Sequence, residues 1–239
     1  MVTRLTLPHP VSKESLTMIS IDSFGCPGLR HWGFDDGRFY NGMTQAEILS
    51  GKTTKLGMHA WTKQGIVGRG VLIDFVSYAE KKGIRYDATG FYAVTLKVVL
   101  EIAKEVNIEF RAGDIIFLRT GFTHAFANTT IDARKAIMSR DPFEYPGMES
   151  TFGVLEWLWD TGIAAVAGDC PGFEAWPPSE KIMHQILLSG FGMPIGELFD
   201  LEDLAVQCEK EKRWTFFLTS EPLNVKGGVG SPPNALAIF

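Results

Sequence analysis

The chain has 239 residues, 45% of them hydrophobic and 21% charged, with a formal net charge of −5, the make-up of an ordinary globular protein. That acidic balance gives no basic footprint for nucleic acid, and no apolar run approaches the ~20 residues of a membrane span. Cys26, Cys170 and Cys208 are scattered without CxxC spacing, so neither a disulfide framework nor a zinc knuckle is indicated. With no signal-like apolar stretch in MVTRLTLPHPVSKESLTM, a reduced, cytoplasmic protein acting on a small molecule is expected.

Residues 15–21, SLTMISI, carry β-branched and apolar side chains and read as a strand. It leads into a loop within residues 19–41, ISIDSFGCPGLRHWGFDDGRFYN, dense in glycine (Gly25, Gly28, Gly33, Gly37). Glycine lets backbone approach a ligand, and loops on a rigid scaffold are where chemistry is mounted. Thr44 followed by Glu47 is a capping-box pattern for a short helix over 44–50, and a second short helix over 55–63 would end at Gly65. GIVGRGVLIDF, 65–75, has the look of a buried strand. Its glycines Gly65, Gly68 and Gly70 match no phosphate-loop spacing and precede the strand when they should follow it.

Residues 95–106 place Leu96, Val99, Leu100, Ala103 and Val106 on one helical face. IIFLRTGF, after the turn at 111–114, reads as another buried strand. A helix over 129–140 stops at Asp141-Pro142, and a helix over 149–160 ends at Gly162. Residues 163–168 form a third apolar strand, 181–189 and 201–212 read as helices, and 214–220 as a fourth strand. Helices and strands alternate without a linker or composition break, which predicts one α/β domain over 1–239.

Four places carry polar residues out of keeping with their surroundings. They are His31 with Arg30, Asp74, Asp169, and the pair His184 and Glu197. Ligands bind at the carboxyl ends of strands in open α/β sheets, which marks Asp74 and Asp169 as pocket residues; the plainer alternative is that each caps the next helix. His184 follows Glu180 by four residues, one helical face. Glu197 lies in MPIGELF, where a carboxylate needs a partner or a raised pKa. His9, His59 and His124 read as solvated. Cys26 is the more exposed cysteine beside Pro27, but with Arg30 as its only evident activator it reads as inert.

From Asp35 onward the chain resembles the cyclase family of metal-dependent hydrolase-like enzymes, in particular its fungal branch. The matching stretches are YNG (40–42), GIVGRGVLIDF, EFRAGDIIFLRTGF (109–122), LEWLWDTGIAAVAGDCPGFEAWPP (155–178), HQILLSGFGMPIGELFDLEDLA (184–205) and GSPPNALAIF (230–239). The family includes kynurenine formamidases and isatin hydrolases. The resemblance implies a single-domain swivelling β/β/α fold with a mixed central sheet, and a homodimer. Relative to the family the segment ahead of His31 is short, and a shortened N-terminal part is expected.

The family's metal signature is H-x-G-T-H-x-D-x-P-x-H. Laid on this chain through GLRH, its last His is His31, its first falls on Ile21, its second on Gly25 and its Asp on Pro27, none of which ligates through a side chain. The family's downstream His and Glu ligands correspond to His184 and Glu197. Asp22 is one residue from the first-ligand position, but a one-residue slip in a strand turns a side chain to the other face.

This degenerate motif favours metal-independent cyclisation, dehydration or isomerisation of a small carbonyl-rich secondary metabolite, with no cofactor. His31 would be the acid–base group, Arg30 would stabilise a developing oxyanion, and His184 with Glu197 would form a second pair. Trp32, Tyr40, Trp61 and Trp176 would wall the pocket beside Asp74 and Asp169. Two alternatives stay open. One is metal-assisted hydrolysis of an amide, lactone or ester, with zinc or manganese on His184, Glu197 and Asp22 or His31. The other is a non-catalytic ligand-binding relative.

Overall fold

The computed structural model describes residues 18–232 and 234–239; over 18–25 it describes the backbone alone. The elements in chain order are β1 (Met18–Pro27), α1 (Gln45–Leu49), β2 (Ile66–Asp74), α2 (Phe75–Lys82), β3 (Tyr92–Val94) and α3 (Leu96–Glu105). There follow β4 (Ile115–Arg119), α4 (Phe122–Ala127), α5 (Ile131–Met138), β5 (Pro146–Met148), α6 (Phe152–Thr161) and β6 (Ala165–Gly168). The chain then forms β7 (Ile195–Phe199), α7 (Glu202–Glu211), β8 (Thr215–Glu221), β9 (Gly230–Ser231) and β10 (Asn234–Ile238). Among the described residues no helix is long and apolar enough to cross a membrane.

The main sheet has the order β10-β8-β2-β4-β6-β7-β1-β9, and β10 also pairs with β1. It is mixed, as expected: β2, β4, β6 and β7 run parallel, while β8, β10 and β1 join antiparallel. The β10–β1 pairing curls the sheet back on itself. Side-chain alternation along each strand then separates two cores. Leu72, Phe117, Phe199, Phe216, Leu218, Ala235 and Ala237 pack within the curl. Val71, Ile73, Ile116, Leu118 and Val166 face the other way, against Phe75, Val99, Ile102 and Leu158 of the helices.

Local rules explain most of the helices. Thr44 and Glu47 form the expected reciprocal capping box on α1. Asp74, Thr95, Thr130 and Thr151 each accept a backbone N–H at the start of α2, α3, α5 and α6. Gly83 and Gly162 end α2 and α6 in the left-handed conformation. In β2, Gly70 pairs with Phe216, and a Cβ there would lie 2.1 Å from the Phe216 ring. That glycine makes room for an aromatic ring.

Non-local pairing produced the departures from the local reading. β1 runs on to Pro27, so the expected glycine loop is strand over 19–27 and loop only from Gly28. β10 and β7 hold β1 in successive halves, through Met18–Asp22 and through Ser23 and Gly25; both partners come from the far end of the chain. The expected strand at 15–17 lies outside the described residues. Residues 185–191 form a π-helix instead of an α-helix. Strands β7 and β10 have no counterpart in the sequence reading, and neither has α4 after β4.

Candidate active site

The chemistry gathers where the end of β1 meets β7 and β9. His184 stands at the start of the π-helix, a geometry frequent at functional sites. Its Nδ1 lies 2.7 Å from Glu174 Oε2, its Nε2 2.8 Å from Glu197 Oε1, and its backbone N–H donates to Glu174 Oε1 at 3.1 Å. Glu174 is completely buried and His184 nearly so. Burial alone would lower the His184 pKa. The hydrogen bonds to Glu174 and Glu197, and their charges, outweigh it and raise the pKa to about 9. His184 is therefore an imidazolium at neutral pH, donating from both ring nitrogens.

Glu197 carries this pair to the surface. It lines a cleft of 320 Å³ with Cys26, Pro27, His31, Gly230, Ser231 and Pro232. His31 stands at the exposed rim, its ring 6.5 Å from that of His184. Partial desolvation of its ring lowers the His31 pKa, Glu197 acts the other way, and the His184 charge lowers it again. The net fall leaves His31 a neutral imidazole at pH 7, able to give or take a proton.

Trp32 lies 5.4 Å from the His184 ring and 6.4 Å from Trp176, an aromatic wall beside the imidazolium. The loop carrying His31 and Trp32 is fixed to the π-helix at two points. Ser189 Oγ donates to the Trp32 carbonyl at 2.8 Å, and Gln185 Nε2 donates to Asp35 at 2.8 Å.

His31, His184, Glu197, Trp32 and Trp176 thus come together as the sequence suggested, and other expected site residues do not. Arg30 is not an oxyanion donor. Its guanidinium is buried and committed to the carbonyls of Lys55 at 2.7 Å, Thr53 at 2.8 Å and Gly227 at 3.2 Å. Asp74 caps α2 through Ser77 and pairs with Arg119 at 2.8 Å, and Arg119 in turn holds Glu202. Asp169 is buried and accepts from Thr120 N–H and Oγ1 at 2.7 Å and Gly121 N–H at 2.6 Å. Asp74 follows the plainer alternative and caps the next helix; Asp169 caps none that follows it and ties down the backbone at Thr120 and Gly121, ahead of α4. Tyr40 packs over Gly192, where a Cβ would lie 2.6 Å from its ring, and Trp61 packs against the core.

Smaller corrections follow the same logic. Glu180 accepts from the Phe152 N–H and is not the partner of His184. Cys26 is buried, and burial followed by the Glu197 charge pushes its thiol up to about 12, which makes it inert. His59 is no mere solvated side chain: its Nδ1 accepts the Gly227 N–H at 3.2 Å. Glu174 was missed. The signal that flagged Glu197, a carboxylate inside an apolar run, is also present in GFEAW.

Among the described residues the donor set does not fit the metal that the resemblance implies. Both ring nitrogens of His184 face carboxylates, leaving no lone pair for a cation. Gly25 pairs directly with Glu197 across β1 and β7, so the family's second-His position faces the carboxylate with no side chain at all. Asp22 pairs with Asn234 through its backbone, and its side chain is outside what the structure describes. Among the described residues no three His, Cys, Asp or Glu side chains are grouped as metal ligands. A roomier groove, 580 Å³ along Phe152, Trp159 and Phe191, lacks this concentration of acid–base groups, so chemistry and not volume locates the site.

A family model described as "Putative cyclase" matches residues 31–175, beginning at His31 itself. The crystal structure of a novel cyclase is 29% identical and superposes with a TM-score of 0.78 over 90% of this chain and 68% of that one. Isatin hydrolase A from Ralstonia solanacearum shares 15% identity with a TM-score of 0.62, over 98% of this chain and 86% of its own. A predicted metal-dependent hydrolase from Bacillus stearothermophilus shares 15% identity with a TM-score of 0.54, over 96% and 91%. These last two are likenesses of fold alone. No curated protein matches the sequence.

Proposed function

The chain belongs to the cyclase family, and from that premise we propose that it is an enzyme moving protons on a small carbonyl-bearing substrate without a metal. The observation that carries this reading is the clamped His184, held by Glu174 on one ring nitrogen and Glu197 on the other. An imidazolium in that position fixes Glu197 in place and leaves it lining the cleft.

Glu197 takes a proton from a carbon next to the substrate carbonyl, and the electron pair moves onto the carbonyl oxygen. The neutral His31 at the rim takes the proton from Glu197 on its free ring nitrogen and gives the proton of its other ring nitrogen to the site where negative charge has gathered. One proton is moved and none is consumed, the balance of an isomerisation or cyclisation. Where the carbon beyond carries a hydroxyl, the same transfers expel water. Trp32 and Trp176 offer flat faces for a conjugated substrate, and holding it against the acid–base pair supplies a large part of the rate.

The test is metal content in protein purified without a histidine tag, followed by thermal melts with and without chelator. Protein without stoichiometric metal, and with a chelator-insensitive melt, is expected. Stoichiometric zinc or manganese would overturn the reading and restore metal-assisted hydrolysis. A panel of enolisable aryl ketones then reports turnover, which should fall about 10²-fold or more in His31→Ala and Glu197→Gln.

A further inference from the structure

Tyr145 is a residue that neither the sequence reading nor the proton transfers above call upon. Its backbone forms a bridge with Trp176, N–H to carbonyl at 3.2 Å in one direction and 3.1 Å in the other. The two rings stack with centroids 6.4 Å apart and planes 18° apart, and Trp176 in turn contacts Trp32. The phenol therefore continues the aromatic wall of the site.

Its hydroxyl is directed at Gly172. A Cβ at that glycine would lie 2.7 Å from Tyr145 Oη and 3.3 Å from His184 Cε1. Phenol and imidazolium thus flank one glycine, with no side chain between them.

Buried tyrosine hydroxyls find partners, and the other buried tyrosine does: Tyr78 donates to Glu101 at 2.7 Å. Tyr145 is as buried as Tyr78, at 8% against 9% exposure, yet its Oη makes no hydrogen bond with any described residue. Among the described residues the only fully enclosed side-chain N or O without a partner is Arg134 Nε, so the unpartnered Tyr145 hydroxyl is not completely sealed by its surroundings.

We propose that Tyr145 Oη is the hydrogen-bond donor that receives the substrate's carbonyl oxygen, setting the substrate's ring against the tryptophan wall and its acidic C–H toward Glu197. The assignment rests on the acid–base reading above and narrows the substrate class to flat, conjugated carbonyl compounds. Burial, and the negative charge of Glu174 close by, hold the phenol well above its usual pKa, so it remains a donor across the working range of pH. No proton leaves it: the O–H bond strengthens its hold on the oxygen as charge accumulates there. It takes the place that Arg30, turned toward backbone carbonyls, leaves vacant.

The experiment uses two probes of one shape: isatin, a flat aromatic dicarbonyl, and indole, the same ring system without carbonyls. Both are titrated by calorimetry into the wild-type chain, Tyr145→Phe and Glu197→Gln. Tyr145→Phe is expected to weaken isatin binding about tenfold, the worth of one net hydrogen bond, with indole affinity and melting temperature unchanged. Equal isatin affinity in Tyr145→Phe and wild type, or a parallel loss for indole, would overturn the assignment. If in either case Glu197→Gln alone alters isatin binding, the acid–base reading stands without Tyr145. Wild-type protein that binds neither probe overturns both.

Discussion

Glu174 holds His184 twice, one carboxylate oxygen accepting its backbone N–H at 3.1 Å and the other its ring Nδ1 at 2.7 Å. A single buried acid thereby sets the position of the imidazole, and shares with Glu197 in setting its charge. Glu174→Gln preserves the shape and removes the charge. It should drop the His184 pKa from about 9 toward the ordinary histidine range and destabilise the fold by about 3 kcal/mol, the cost of leaving a buried charge with half its compensation. Proton NMR titration of the His184 ring and urea unfolding check the two halves.

The same shift predicts a pH dependence of stability. His184 titrates near 6.5 when unfolded and near 9 in the fold, so the folded chain binds the proton more tightly. The stabilisation is complete below pH 6.5, declines as pH rises, and is lost once pH passes about 9. Its size is about 3 kcal/mol. Chemical denaturation at stepped pH should show this fall in the wild type and a flat profile over that window in His184→Gln.

Arg30→Ala should act on stability and on a loop, not on chemistry. Three carbonyls lose their donor, which costs about 2 kcal/mol. The segment around Gly227, held from the other side by His59, should become the first site of limited proteolysis. Lysine cannot reproduce the fork, so Arg30→Lys recovers little of the loss. If Arg30→Ala melts like the wild type, the clamp is unimportant.

Gly172→Ala tests the spacing of the site. The added methyl would press on Tyr145 Oη at 2.7 Å and His184 Cε1 at 3.3 Å, and overpacking of that kind costs about 1–3 kcal/mol. Turnover should fall further than stability does, because the phenol and the imidazolium must both retreat. The control is Gly153→Ala, whose nearest neighbour would stand at 3.9 Å; it should be neutral.

The sequence announced some of this and hid the rest for physical reasons. Caps such as Thr44 with Glu47 are local, so they were readable. His184 and Glu197 stood out as polar residues in apolar runs, and they do meet. The length of β1 was hidden because its pairing partners lie near residues 195–199 and 234–238. Arg30 and Asp169 were misjudged because a charged residue beside glycines looks the same whether it awaits a ligand or ties down backbone. Only the carbonyls of Thr53, Lys55 and Gly227, and the N–H groups of Thr120 and Gly121, distinguish the two. Tyr145 gives no local signal at all. Its meaning depends on Trp176 and Gly172, which are adjacent in space and remote in sequence.

The pairing of β1 with β10 along one half and β7 along the other also decides how the molecule can meet its neighbours. A sheet that returns to its first strand exposes no long row of unsatisfied backbone groups at that seam, and the terminal ladder strand, β9, is two residues long. Edge-to-edge growth, the common route from native sheets to aggregates, finds no template there. A second protein that meets the molecule at this seam must grip side chains.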